Sequence, residues 1–463
     1  MSFKSVLVLL YAVVTMGAAA DPVDDAMAKF MAPAHIPGAA VAVVEKGKLT
    51  KLAAYGTADL EWDGKVTPDT PFQLASVSKI FAGVVLMRMV EQGKLSLSDP
   101  LTKYFPQAPE SWKAITIRHL AGHMSGLPEG LGQSTNATPL EVASEAMKRP
   151  LAYAPGSKSQ YGFTDFVVMT AILEKVSGLS YTALLQREVL DPLGLKHTGF
   201  TMAREDGPIR STGLIPGRAK VYAWRAPVQR DEAFLYPVHA YAAGGLYSSA
   251  RDMATLMTAL THGGFLKPES FALLTHPIRL NDGRNGEFGV GWTFGRYHGL
   301  ETVGHTGGPG LGDVMYIPSA DLVVIALTNQ RRFVPLLSQA IADLKLPPSP
   351  VQPAIADSHP EFTADFTAQL AAARDGKLDE ARFTAEGARD WLPFYKEFGQ
   401  AMLEAVGPVS KAELLSERAK DSGGLRRLYR VVFARKTMLM VASTDGNGRY
   451  TAIVPLSGDD TER

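Results

Sequence analysis

The chain contains no cysteine, so no disulfide can staple it and no lipid-bearing cysteine can anchor it. It has no charge excess either: 47 basic and 47 acidic residues cancel, and no basic stripe is visible. Nucleic acid and anionic membrane surfaces are therefore not its partners. The apolar run at the N-terminus, Val6 to Met16, is too short and too weakly flanked to span a membrane. It follows Lys4 and precedes Ala18-Ala19-Ala20, the three-part order of a cleavable signal peptide over residues 1–20. The mature chain is thus expected in a bacterial periplasm or exterior. With 463 residues, 46% of them apolar, it can build a core large enough to need no disulfides. No Gly-x-Ser-x-Gly elbow occurs, which removes the usual α/β-hydrolase nucleophile.

What is present is a serine and a lysine three residues apart at the start of an apolar helix, within Phe72-Gln73-Leu74-Ala75-Ser76-Val77-Ser78-Lys79. Ser76 is the one serine in the chain with a lysine three positions on. Residues at that spacing share a helix face, so hydroxyl and amine can point at one spot. A desolvated amine loses its charge and can take the serine's proton, while the helix N-terminus offers N–H groups to a developing oxyanion. The bland alternative is a capping serine followed by a snorkelling surface lysine.

Three further segments decide between the two: Ile117 to Pro128, with His119-Leu120-Ala121-Gly122-His123-Met124-Ser125-Gly126-Leu127-Pro128; Tyr153-Ala154-Pro155-Gly156 leading to Tyr161-Gly162-Phe163; and Gly304-His305-Thr306-Gly307-Gly308. In this order they resemble the serine β-lactamase and penicillin-binding-protein family, especially its class C-like esterase and D-peptidase branch, over roughly residues 25 to 345. The resemblance implies an acyl-enzyme on Ser76, with Lys79 and Tyr161 as acid/base pair and the N–H groups of Ser76 and Gly308 as oxyanion hole. A nearby ammonium is expected to lower the Tyr161 phenol. His305, Thr306 and Gly307 stand where the family has Lys-Thr-Gly, and Phe163 where its tyrosine motif ends in asparagine. A neutral imidazole holds a carboxylate less firmly than an ammonium, and phenylalanine offers no amide. Both departures favour a neutral ester over a penicillin-like anion. The expected activity is an esterase on short or medium acyl esters. A D-amino-acid peptidase or a β-lactamase is the near alternative, and a catalytically weak peptidoglycan- or partner-binding protein the alternative of another class. If Phe163 turns into the core, Asp165 or Gln160 supplies the missing polar partner.

Other signals fail on context. His119 and His123 have zinc spacing but no adjacent glutamate and no third ligand, so no metal or cofactor is expected. The Gly-rich run Gly308 to Gly312 leads into a strand pattern, not a helix, which excludes a phosphate loop.

The pattern predicts an α/β fold: a β-lactamase-like α/β sandwich over residues 21–346 with a helical subdomain between its sheet-forming ends. A Pro-rich linker at 347–358 and a small α+β accessory domain at 359–463 follow. Within it, strands are read at Ala39–Val44, Leu49–Tyr55, Gly289–Tyr297, Asp313–Ile317 and Leu322–Leu327. The stretch Ala243 to Met253 is read as the start of a helix with Ser249 as its cap, Pro335–Leu344 as a closing helix, and Leu378–Ala388 as another.

Overall fold

The computed structural model describes residues 21–131, 134–225, 227–232, 234–308, 310–331, 336–350, 352–456 and 458. The leader over residues 1–20, and Pro335, lie outside the described residues.

Strands from both ends of the first three quarters of the chain meet in one antiparallel sheet of seven. Its order is Thr293–Tyr297, Leu300–Gly307, Gly312–Ile317, Leu322–Thr328, Gly38–Glu45, Lys48–Asp59, Gly64–Lys65. Gly38–Glu45 joins the two ends, running Ala39 against Thr328 through to Glu45 against Leu322. Every residue from Ala39 to Val44 is sealed. The pleat sends Ala40, Ala42 and Val44 to one core and Ala39, Val41 and Val43 to another.

The first core holds the helix Ser78–Glu91, in which Ile80, Phe81, Val84, Val85, Leu86, Met87 and Met89 are all buried. Apolar side chains point from it in every direction, as in a helix at the centre of a protein. Each such side chain stabilises the fold by about 1.5–3 kcal/mol on burial. The candidate nucleophile region leads straight into this helix, so the site is built on a deeply packed element rather than on a mobile loop. The second core lies behind the sheet. There Pro22–Met31 and Leu336–Asp343 share apolar contacts with Phe366, Tyr429 and Met440 of the C-terminal segment. That segment forms its own four-stranded antiparallel sheet, Val409–Ala419, Leu425–Phe433, Thr437–Thr444 and Tyr450–Pro455.

Two expected elements come out differently. The strand read from Gly289 begins only at Thr293, because Gly291 has φ +78° and its Cα backs onto the carbonyl of Lys79, where a Cβ would sit 2.4 Å away. The helix expected behind the Ser249 cap does start at Ala250, after a wide turn, Tyr241–Gly245, and a short strand, Leu246–Ser248. The helix read over Leu378–Ala388 is broken: Thr384 accepts from the N–H of Gly387 and starts a separate helix at Ala385.

Candidate active site

Ser76 sits in a one-turn 3-10 helix, Ala75–Val77, that leads directly into Ser78–Glu91. The chain enters it through Ala75 at φ +47°, a left-handed conformation that costs an L-residue about 1–2 kcal/mol. Such strain is held in place where surrounding structure over-determines it, commonly at functional sites. Here Ala75 is buried, and the neighbouring Leu74 bonds by its N–H to the carbonyl of Leu246.

Lys79, one turn on, is wholly buried. Its Nζ lies 3.3 Å from Ser76 Oγ and donates to the carbonyl of Ala243 at 2.7 Å. The wide turn Tyr241–Gly245 presents that carbonyl and is pinned to the helix by the Leu246 N–H, which donates to Ser78 Oγ at 3.1 Å. Around the amine stand the rings of Tyr161, Phe166 and Phe163, at 4.8, 5.4 and 5.8 Å from Nζ to centroid. Burial in this apolar wall pushes the Lys79 pKa down to about 7, against a weaker upward pull from the Glu129 carboxylate. The shift brings the neutral amine, able to accept a proton, within reach of neutral pH.

Tyr161 completes the set, donating from its hydroxyl to Ser76 Oγ at 2.8 Å. Although 44% of the residue is exposed, desolvation of the phenol pushes its pKa up to about 12, opposed by the bond to Ser76. This reverses the expected downward shift. Desolvation of the phenol dominates, and the Glu129 charge adds to the rise. The Tyr161 loop is anchored on both sides by His123, whose carbonyl accepts from Gln160 N–H at 2.8 Å and whose Nδ1 accepts from Gly162 N–H at 3.3 Å. The Tyr161 ring leans on the imidazole at 4.7 Å and on Phe288 at 5.7 Å. His123 is thus a support beneath the tyrosine. Among the described residues, no group of acidic, histidine or cysteine side chains is arranged to hold a metal ion.

Phe163 does not turn into the core. It stays half-buried beside Lys79, leaving an apolar wall where an amide was expected to stand. Nor does Asp165 replace that amide. It is buried against Ser125 Oγ, with His123 Nδ1 3.4 Å from its other oxygen, and burial raises its pKa to about 8. The polar partner of Lys79 is instead the Ala243 carbonyl, a backbone atom that no side-chain motif announces.

Along the strand Leu300–Gly307 the pleat alternates: His305 and Gly307 are buried on the nucleophile's side, and Thr306 is exposed on the other. The expected grouping of Thr306 with the site residues therefore fails at its side chain. His305 donates from Nδ1 to the Thr306 carbonyl at 2.7 Å, and its ring lies 6.1 Å from that of Tyr161. Burial first, then the Lys79 charge, drives its pKa down to about 3, so it is neutral across the physiological range. A Cβ on Gly307 would meet the Leu74 carbonyl at 2.0 Å, whereas one on Gly308 would meet nothing within 4 Å. Close approach of strand to nucleophile turn thus depends on Gly307. Gly307→Ala is expected to lower kcat by about tenfold or more by prising the two apart, with an accompanying loss of thermal stability.

Two neighbours carried no motif of their own. Glu129 follows the His119–Pro128 stretch directly; the residue is exposed, but its carboxylate turns in beside Gly162 and accepts from Thr164 N–H at 2.9 Å. Its Oε1 would lie 2.3 Å from a Cβ on Gly162, so glycine there makes its room. Burial of the carboxylate raises its pKa. Tyr236, far along the chain, stacks on Phe163 with 6.2 Å between ring centroids and 12° between planes.

A family model described as Beta-lactamase matches residues 23–345. The chain belongs to the Beta-lactamase family. The match ends ahead of the C-terminal sheet. Over 291 residues the chain is 29% identical to the teichoic acid D-alanine hydrolase of Staphylococcus aureus, covering 62% of this chain and 68% of that one. A shorter stretch, 175 residues, is 29% identical to protein flp of the same organism, covering 36% and 35% of the two chains. The fold is shared with D-amino acid amidase from Ochrobactrum anthropi SV3, solved with L-phenylalanine, at TM-score 0.58 and 22% identity over 70% of this chain and 96% of that one. With the family's nucleophile, lysine and tyrosine segments in place, this is a Beta-lactamase-family serine hydrolase.

Proposed function

We propose that the protein is an exported hydrolase that forms an acyl-enzyme on Ser76 and acts on short acyl esters whose acyl group carries an α-ammonium, D-alanyl esters among them. The observation that carries this reading is the convergence of Lys79 Nζ and the Tyr161 hydroxyl on Ser76 Oγ, at 3.3 and 2.8 Å. Neutral Lys79 takes the Ser76 proton as Oγ adds to the ester carbonyl, and the N–H groups of Ser76 and Gly308 receive the oxyanion. When the intermediate collapses, the ester C–O bond breaks. Tyr161, protonated at neutral pH, gives its proton to the departing alkoxide and is restored from Lys79. Water then adds to the acyl-enzyme by the same path in reverse, releasing the acid and Ser76.

Two features support the substrate class. Phe163 and neutral His305 offer no cation or amide to a penicillin-like carboxylate. Glu129 places a carboxylate at the rim, close enough to act on the Lys79 charge, where it can receive an ammonium. The named activity of the Staphylococcus aureus relative, teichoic acid D-alanine hydrolysis, involves an acyl group of that kind. The leader-like order of residues 1–20 supports reading the enzyme as exported.

Purified mature protein is expected to hydrolyse p-nitrophenyl butyrate and D-alanine methyl ester with little cleavage of nitrocefin. Strong Ser76-dependent nitrocefin cleavage would contradict the reading of Phe163 and His305. Turnover of D-alanine p-nitroanilide faster than that of the methyl ester would make it an amidase. Glu129→Gln is expected to lower kcat/KM for D-alanine methyl ester by about 10- to 100-fold, the worth of a charged hydrogen bond. Hydrolysis of p-nitrophenyl butyrate, which has no ammonium, is expected to be little affected by that substitution. Equal losses on both substrates would remove Glu129 from substrate recognition.

A further inference from the structure

Tyr236 belongs to no motif, yet its ring packs against the apolar wall beside Lys79. It lies parallel to Phe163, whose own ring is 5.8 Å from Lys79 Nζ. Its hydroxyl end rests on the backbone of Gly244, where a Cβ would come within 2.1 Å of the ring and 2.8 Å of its oxygen. Gly244 follows Ala243, whose carbonyl holds Lys79, so the ring stands one residue from the catalytic amine's own acceptor. Phe234 braces it edge-on at 4.7 Å between centroids and is itself 51% exposed at the rim. Tyr236 is 8% exposed, and burial raises the pKa of its phenol, with the Tyr161 phenol near enough to add to the rise. A ring this well held acts through its volume.

We propose that Tyr236 is the end wall of the acyl pocket and sets the length of acyl chain that Ser76 accepts. This rests on the acyl-enzyme reading above and adds its specificity. Packed on bare Gly244 backbone and on Phe163, the ring fills the space into which an acyl chain would grow past its first few carbons. A two-carbon backbone such as D-alanyl stops short of it, whereas a chain of eight carbons meets it.

The test is the ratio of kcat/KM for p-nitrophenyl octanoate to that for p-nitrophenyl acetate, in wild type, Tyr236→Ala, Tyr236→Leu and Tyr236→Phe. Loss of acetate turnover in Ser76→Ala is read first, so failure of the acyl-enzyme reading is seen separately. The ratio is expected to rise by about tenfold or more in Tyr236→Ala, the usual worth of a few methylenes in an apolar pocket. It is expected to rise less in Tyr236→Leu, which refills part of the volume, and to stay at the wild-type value in Tyr236→Phe, which keeps the ring. A parallel fall for both esters would mean that Tyr236 only supports the fold and would overturn the proposal. A change that instead follows the length of the alcohol, measured with alkyl acetates, would put the ring on the leaving-group side and overturn it equally.

Discussion

Lys79→Met is expected to lower kcat for p-nitrophenyl butyrate by about 10³-fold and, at pH 6, to raise the melting temperature. Both effects have one cause. Lys79 is wholly buried among Tyr161, Phe163 and Phe166, and that burial holds its pKa near about 7 instead of 10.5. Removing the general base costs catalysis on the order of 10²–10⁴-fold. Removing a buried amine also removes a penalty on the folded state. Between pH 7 and 10.5 the unfolded chain binds a proton at this lysine that the folded chain does not, so stability rises with pH across that window. Below pH 7 the penalty is complete, and there Met gains most over Lys; towards pH 10.5 the two proteins converge. The same pKa shapes activity: wild-type kcat/KM is expected to rise tenfold per pH unit below about 7 and level off above it. In Lys79→Met that limb should vanish. Calorimetry at pH 6, 8 and 10 with a pH–rate profile checks both; a methionine variant less stable than wild type at pH 6 would contradict the neutral-lysine account.

Ser76→Ala is the second large effect, an expected loss in kcat of about 10⁴-fold or more, because Oγ is the atom proposed to carry the acyl group. Residual turnover in such variants comes from substrate binding and the oxyanion donors alone. Unlike Lys79→Met, this change leaves stability near wild type, since Ser76 is only half-buried and alanine is well accommodated in its turn. Steady-state kinetics and a melting curve on the same preparation separate the two. Loss of activity together with collapse of the fold would remove the argument for nucleophilic attack.

Spacing made Ser76, Lys79 and Tyr161 legible, because residues that converge on one atom leave motifs that survive in one dimension. The continuous apolar runs at Ala39–Val44 and Leu322–Leu327 were legible too, since a strand buried on both faces must be apolar throughout. What stayed hidden was three-dimensional. The acceptor that replaces the missing asparagine is the Ala243 carbonyl, and every residue has a carbonyl. The left-handed Ala75 carries no glycine or asparagine to announce it. Glu129 reads as any exposed acid until its carboxylate is found beside Gly162 and Thr164. The direction of the Tyr161 shift was misread because burial, not charge, decides it, and burial belongs to the fold. Tyr236 reaches Phe163 across 73 residues of chain, a contact no spacing rule encodes.

The most direct measurement of the central claim is to incubate the mature protein with a fluorophosphonate at pH 8 and locate the adduct by peptide mass spectrometry. The account predicts stoichiometric labelling confined to Ser76, abolished in Ser76→Ala and strongly slowed in Lys79→Met. Labelling at another residue, or none on a folded protein that turns over p-nitrophenyl butyrate, would contradict it.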